Sequence, residues 1–260
     1  MNVHTPRTVT IDCFPEAALR YRNTCAIVAI DVIRATTTAI TAVAAGRRCF
    51  PAASVDDAMI IASDLPNPLL AGEIGGNMPY GFHLTNSPAA VESRSDIERP
   101  MVLLSSAGTE LMCNAGKRNQ PILACFRNYT SVGRYLATRF DSVAVIGAGT
   151  RGEFREEDQM CCAWIADILL EEGFVPVTRE TLEIAGRWRG KPPEACLASK
   201  SVEYLRSTGQ QRDLEFILSH VNDLDAVFTI RNHEVVLLSP PTLLPGEAVS
   251  HDGGVRSALP

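Results

Sequence analysis

Five short polar clusters carry the residue types of phosphoryl chemistry, and each follows an apolar run. "DVIRATTT" sets Asp31 ahead of Arg34, Thr36 and Thr37, and "AGEIGGN" places Glu73 just after "NPLLA". "SSAGTE" holds Ser106, Gly108 and Thr109, and "FRNYTS" holds Arg127, Asn128 and Thr130. "GAGTRGEFREED" joins Gly147-x-Gly149-x-x-Gly152 to Arg151 and the acids Glu153, Glu156, Glu157 and Asp158. Hydroxyls, backbone N–H groups and arginines suit an oxyanion, and carboxylates suit a hard divalent cation. Together they point to magnesium-assisted phosphoryl chemistry. Taken singly, each cluster reads as a helix cap or as acids complementing a helix dipole. Five of matched chemistry at five strand ends point to a shared site.

The glycine spacing offers a second reading, the pyrophosphate turn of a dinucleotide-binding oxidoreductase. That turn needs phosphate at the N-terminus of the following helix. Here Glu153, Glu156, Glu157 and Asp158 stand there instead, and like charges that close repel unless a cation separates them. The acids suit a metal better than a cofactor phosphate. Other phosphatase and nucleotide motifs fail: no cysteine heads C-x5-R, and neither a P-loop nor H-E-x-x-H is present. Asp223-Leu-Asp225-Ala-Val227 resembles the haloacid-dehalogenase nucleophile motif, but its apolar run follows the acids. It reads as a turn before a strand. The histidines are scattered, which speaks against zinc.

Positioning these clusters requires strands that end just before them. "TCAIVAID" (24–31), "RRCFPAA" (47–53), "PMVLLSS" (100–106), "QPILACF" (120–126) and "SVAVIGAG" (142–149) are strand-like. Helical patterns follow at 35–46, 54–65, 109–116, 129–139 and 154–172. Such alternation predicts a mostly parallel, layered α/β sheet, with ligands gathering beyond the carboxyl ends of its strands. Segment 75–88 fits neither period. Beyond residue 174 the expectations are a strand at "FVPVTRE", a helix over "PPEACLASKSVEYLRSTG" and two strands flanking Asn232-His233. The reading is one α/β domain over 1–240 and a Pro/Gly-rich tail over 241–260.

Hydrophobic residues make up 46% of the 260 and charged residues 21%, with net charge −6. That composition belongs to globular proteins and gives no basic face for nucleic acid. No apolar run is long enough for a membrane span, and the N-terminus has no signal-peptide core. Eight cysteines without a C-x-x-C pair read as reduced thiols, so a cytoplasmic setting is expected.

In this order, "DVIRATTTAITAVAAG", "LLAGEIGG", "YGFHLTNSP", "SSAGTELM" and "GAGTRGEFREEDQMCCAW" resemble the 2-phosphosulfolactate phosphatase family, enzymes of coenzyme M biosynthesis. The resemblance spans 26–164, with a looser fit at 201–239. It implies a three-layer α/β/α domain, Mg²⁺-dependent phosphate-ester hydrolysis of a small anionic substrate, and a homo-oligomer. It points to Asp31, Glu73 and Asp158, and their chemistry assigns them as catalytic carboxylates that hold magnesium or position water, with Glu157 as a partner. Arg34, Thr36, Thr37, Ser106, Gly108 and Thr109 are expected to contact phosphate. Arg127 and Asn128 are expected to meet the substrate's carboxylate or sulfonate. Ile74 stands where the family typically has Arg, and Ala107 where it typically has Asn, so substrate choice is open. A relative that binds an anionic metabolite without hydrolysing it is the alternative within the same resemblance.

Overall fold

A computed structural model of the chain describes residues 6–116 and 120–238. The expected tail at 241–260 lies outside the described residues. The first half of the chain runs β1 (Thr8–Cys13), α1 (Ala17–Tyr21), β2 (Ala26–Ile30), α2 (Ala35–Ala44), β3 (Cys49–Ala52), α3 (Val55–Ser63), β4 (Leu69–Gly72), α4 (Pro88–Glu92), β5 (Met101–Leu104) and α5 (Gly108–Gly116). Then come β6 (Ile122–Ala124), α6 (Tyr129–Ala137), β7 (Ser142–Gly147), α7 (Glu156–Glu171), β8 (Val175–Pro176), α8 (Arg179–Trp188), α9 (Lys200–Ser207), α10 (Gln211–Ser219), β9 (Val227–Arg231) and β10 (Glu234–Leu238).

The strands form one sheet in the order β4-β5-β3-β10-β9-β6-β2-β7-β1-β8. Six of its pairings are parallel and three, all involving β9 or β10, are antiparallel. The sheet is therefore mostly parallel, as expected, but the β9–β10 hairpin divides it into two parallel blocks of opposite sense. Although the two blocks run in opposite senses, the loops after β2, β4, β5 and β7 all contribute residues to one cavity.

β2 and β7 read as unbroken apolar runs because helices cover both faces of the sheet. Along β2 the alternation sends Val28 and Ile30 to one core with Phe126, Val145 and Trp164. Ile27 and Ala29 go to the other, with Ile40, Met112 and Phe228. Helices α6, α7 and α8 cover the first face, and α1, α2 and α5 the second, which gives the three layers. Helix α2 is buried almost throughout, which its Ala and Thr side chains permit by being small. Ser54 caps α3 by accepting from the Asp57 N–H at 3.0 Å.

Past residue 174 the expectations fare less well. The strand at "FVPVTRE" is only two residues long, because Thr178 caps the unforeseen helix α8. The single helix expected over 192–209 is a short 3-10 turn, Pro193–Cys196, and then α9, capped by Ser199. β9 and β10 do flank Asn232-His233, both of which adopt positive φ in the turn. All eight cysteines are free thiols. No helix among the described residues is long and apolar enough to cross a membrane.

Candidate functional site

Asp31 follows the last residue of β2, and its backbone is clamped by the helix it introduces. The Thr36 hydroxyl donates to the Asp31 carbonyl (2.7 Å) and accepts from the Asp31 N–H (2.9 Å), while Thr37 donates to the Val32 carbonyl (2.8 Å). The Asp31 carboxyl accepts from the Ala35 N–H and lies against Gly108 at the start of α5. A Cβ on residue 108 would fall 1.9 Å from the Asp31 Oδ2, so this approach requires glycine.

Glu73, just past β4, ties its own loop to the loop after β5. Its Oε1 accepts from the Ser106 N–H (2.8 Å), and its Oε2 from the Gly76 N–H (2.7 Å) and the Ser106 hydroxyl (3.0 Å). The Ser106 hydroxyl also accepts from the Gly75 N–H (2.7 Å). Asp158, in the first turn of α7, reaches back under both strand ends: its carboxylate accepts from the Val32 N–H (2.7 Å) and the Gly149 N–H (3.3 Å).

The glycine turn therefore serves packing. A Cβ on Gly147 would lie 2.5 Å from the Phe154 ring and 3.1 Å from the Asp158 Cβ. Gly149 adopts φ +61° beside the Cys13 Sγ and the Glu153 carbonyl, where a side chain would be strained. The Gly149 N–H, which a pyrophosphate would need, already serves Asp158.

Negative charge is concentrated beneath the cavity. Burial above all pushes the Asp31 carboxyl up to about 7, aided by Glu73 and Glu157 and opposed by the Ala35 N–H and Arg34. Burial likewise raises Asp158, with Asp31 and Glu157 adding to the effect. Glu157 is raised by burial too, and Ser201 and Ser199 temper this. Neither Glu157 oxygen, however, closes a full hydrogen bond. Such a cluster must take up protons or a cation.

The cavity holds about 430 Å³. Of the residues singled out in the sequence, Asp31, Arg34, Glu73 and Ser106 line it. Arg34 is held through one nitrogen: its Nη1 donates to the Gln210 Oε1 and the Asp213 Oδ2, each at 2.5 Å, in a buried ion pair. Other expected contacts move out of the site. The hydroxyls of Thr36 and Thr37 are consumed by the loop after β2, and Thr109 closes the loop after β5 on the Ser105 N–H and carbonyl (2.8 and 2.9 Å). Arg127 pairs with Asp223 (Nη2 to Oδ2, 2.5 Å) and donates to Thr41. Asn128 bonds the backbone of Cys125, Leu123 and Ala226. All five are buried, and none lines the cavity.

Among the described residues no three His, Cys, Asp or Glu side chains are gathered to hold a metal ion unaided. Magnesium, however, commonly takes only one or two carboxylates and fills its sphere with water and phosphate oxygens. Asp31 and Glu73, both facing the cavity, fit that pattern. Neither Asp158 nor Glu157 is among the residues that line the cavity, and Asp158 instead bonds the Val32 and Gly149 N–H groups. The four-carboxylate set expected from the sequence thus divides into two cavity-facing acids and two supporting ones.

Arg151, named in the sequence, also lines the cavity, and with it stand Arg155, Lys200, Asn86, Ser201 and Tyr204, which the sequence did not single out. Tyr204 donates to the Gly76 carbonyl (2.5 Å), tying α9 to the loop after β4. Asn86 sits directly before Ser87, the cap of α4, and its buried Oδ1 has no partner. Lys200 and Ser201 open α9 without any local motif.

A family model described as 2-phosphosulpholactate phosphatase matches residues 13–233. Similar curated proteins carry the name probable 2-phosphosulfolactate phosphatase. The chain is 28% identical over 216 residues to that of Caldicellulosiruptor saccharolyticus, covering 79% of this chain and 88% of the relative. It is 31% identical over 204 residues to that of Carboxydothermus hydrogenoformans, with 78% and 84% covered. The Deinococcus radiodurans protein is 32% identical over 226 residues, with 85% and 88% covered.

Proposed function

The chain belongs to the 2-phosphosulpholactate phosphatase family of phosphoric monoester hydrolases, and we propose that it hydrolyses the phosphate ester of a small 2-phospho acid with Mg²⁺ at the Asp31–Glu73 cavity. The relatives' name makes 2-phosphosulfolactate, giving sulfolactate and phosphate, the first substrate to test. The observation that carries the reading is a single cavity that the carboxyls of Asp31 and Glu73 line together with the cations Arg151, Arg155 and Lys200.

Asp31 and Glu73 would hold the ion, which on binding supplies positive charge to the phosphoryl oxygens. Asp158 fixes the Val32 and Gly149 N–H groups, so the strand ends bearing the site cannot shift apart. Gly108 lets α5 approach Asp31 closely, which brings the N-terminus of that helix toward an incoming anion. In the hydrolysis, water oxygen bonds to phosphorus, the P–O ester bond breaks, and the alcohol oxygen leaves with a proton. A cytoplasmic setting is part of the same proposal, supported by the family's metabolic substrate and the eight free thiols.

The test is phosphate release from 2-phosphosulfolactate and a panel of phosphorylated hydroxy acids, with Mg²⁺ and with chelator. Release that needs the metal and is lost in Asp31→Asn supports the reading. Release from none of the panel, with sulfolactate still bound, favours an anion-binding protein instead.

A further inference from the structure

The cavity carries both signs of charge. Asp31 and Glu73 come to it from the loops after β2 and β4, and Arg151, Arg155 and Lys200 from the β7 loop and α9. Arg155 and Lys200 share one counter-ion, Glu153. The Arg155 Nη1 lies 2.9 Å from its Oε2, and the Lys200 Nζ 2.6 Å from its Oε1. Arg151, Arg155 and Lys200 thus outnumber Glu153, the one carboxylate that the β7 loop and α9 contribute to the lining.

Their donors are also incompletely used. The Arg155 Nε is buried without a partner, and the Arg151 guanidinium has none among the described residues. Arg155 stands at the N-cap of α7, the positive end of the helix, where a cation is disfavoured. Glu153, by contrast, is nearly half exposed and faces the cavity, so it can leave its partners without desolvation. A phosphate ester filling only the carboxylate side would leave these cations unmatched.

We infer that Arg155 and Lys200, with Arg151 at the rim, bind the acid group that the substrate carries in addition to its phosphate, and that Glu153 holds their place in the empty cavity. A carboxylate or sulfonate has the planar or tripodal oxygens that a guanidinium and an ammonium can grip together. The inference deepens the phosphatase reading and rests on it for the identity of the substrate. Binding is an exchange of anions: Glu153 swings to solvent as the substrate's acid group takes its two partners. Substrate choice is then set by cavity groups other than the metal-holding acids.

The experiment compares the wild-type protein with Lys200→Met and Glu153→Gln, using 2-phosphosulfolactate and phenyl phosphate, which has no further acid group. Lys200 is 65% exposed, so its replacement spares the fold. Lys200→Met should raise KM for 2-phosphosulfolactate by roughly tenfold to hundredfold, the usual effect of losing one charged hydrogen bond. It should lower the preference for that ester over phenyl phosphate by a similar factor. Glu153→Gln should lower KM for 2-phosphosulfolactate, because the competing anion is gone. Opposite signs for the two variants are what a merely structural ion pair would not give. Equal losses on both esters, or a shift of the same sign in both variants, would overturn the inference and leave the phosphatase reading standing. Calorimetry with sulfolactate separates the two failures. Binding that weakens in Lys200→Met, without turnover by the wild type, sinks hydrolysis and keeps the acid-binding wall; neither binding nor turnover sinks both.

Discussion

Asp31→Asn should make the metal-free protein more stable while removing its activity. The Asp31 carboxyl is pushed up from 3.8 to about 7, chiefly by burial. A carboxyl raised on folding favours the fold while protonated. Its contribution is therefore complete below pH 3.8, declines as pH rises, and is gone once pH passes 7. Roughly three pH units at 1.36 kcal/mol each put the loss on the order of 4 kcal/mol at pH 8. Asn is nearly isosteric, still accepts from the Ala35 N–H, and never ionises. In chelator at pH 8 the variant should melt higher by roughly 10 °C, taking about 2–4 °C per kcal/mol for a chain of this size. At pH 4 the two proteins should melt together. Added Mg²⁺ should raise the wild-type melting temperature and leave the variant's nearly unchanged, since a ligand stabilises only the form that binds it. Melting curves between pH 4 and 8, with chelator and with Mg²⁺, measure all of this. A variant that melts at or below the wild type at pH 8 would refute the argument, because the buried carboxylate would then carry no electrostatic penalty.

Two further substitutions test how the carboxylates are positioned. Gly108→Ala places a methyl 1.9 Å from the Asp31 Oδ2 and 2.5 Å from the Ala35 Cβ, so α5 or the loop after β2 must shift. It should cost about 1–3 kcal/mol in urea unfolding and roughly a hundredfold in kcat, the usual effect of displacing a reacting group by about 1 Å; unchanged kcat would mean that Gly108 does not set the position of Asp31. Thr36→Val deletes the hydroxyl that closes on both the Asp31 N–H and its carbonyl, and should cost about 1–3 kcal/mol, whereas Thr36→Ser should retain most of the stability. A KM effect with no stability loss in Thr36→Val would restore Thr36 to the phosphate site.

The layers were readable because apolar runs and helical periods depend on local residue order. β2, β5, β7, α2, α3, α5, α6 and α7 all fall within a few residues of the predicted positions. Two features were not readable for lack of any local signature. The reversal of sense between the parallel blocks comes from where the β9–β10 hairpin inserts, which is a long-range pairing of β6 with β9 and of β3 with β10. The cationic wall draws on Arg155 and Lys200, far apart in sequence and joined only through Glu153. In the sequence Arg155 stands among helix-opening acids, and Lys200 follows a serine that merely caps.

The polar clusters misled in one consistent way, and the reason is chemical. A strand that turns sharply into a helix leaves N–H and carbonyl groups to be satisfied, and short hydroxyl or amide side chains do so best. Thr36 serves Asp31, Thr109 serves Ser105, and Asn128 serves Cys125 and Leu123, each reaching back to the strand it follows. Arg127 similarly anchors its loop to Asp223. The same donors and acceptors would suit a phosphate, so residue type alone cannot separate the turn from the site. What separates them is unspent bonding capacity. A threonine whose hydroxyl already donates in its own loop has no proton left to offer a phosphate oxygen. The Asp31 carboxyl, raised by burial and accompanied by Glu73, still calls for a cation, and the Arg155 Nε still calls for an acceptor. Chemistry in this fold belongs to the groups that folding leaves unsatisfied beside the cavity, and the turns that carry them are built from groups that folding has satisfied completely.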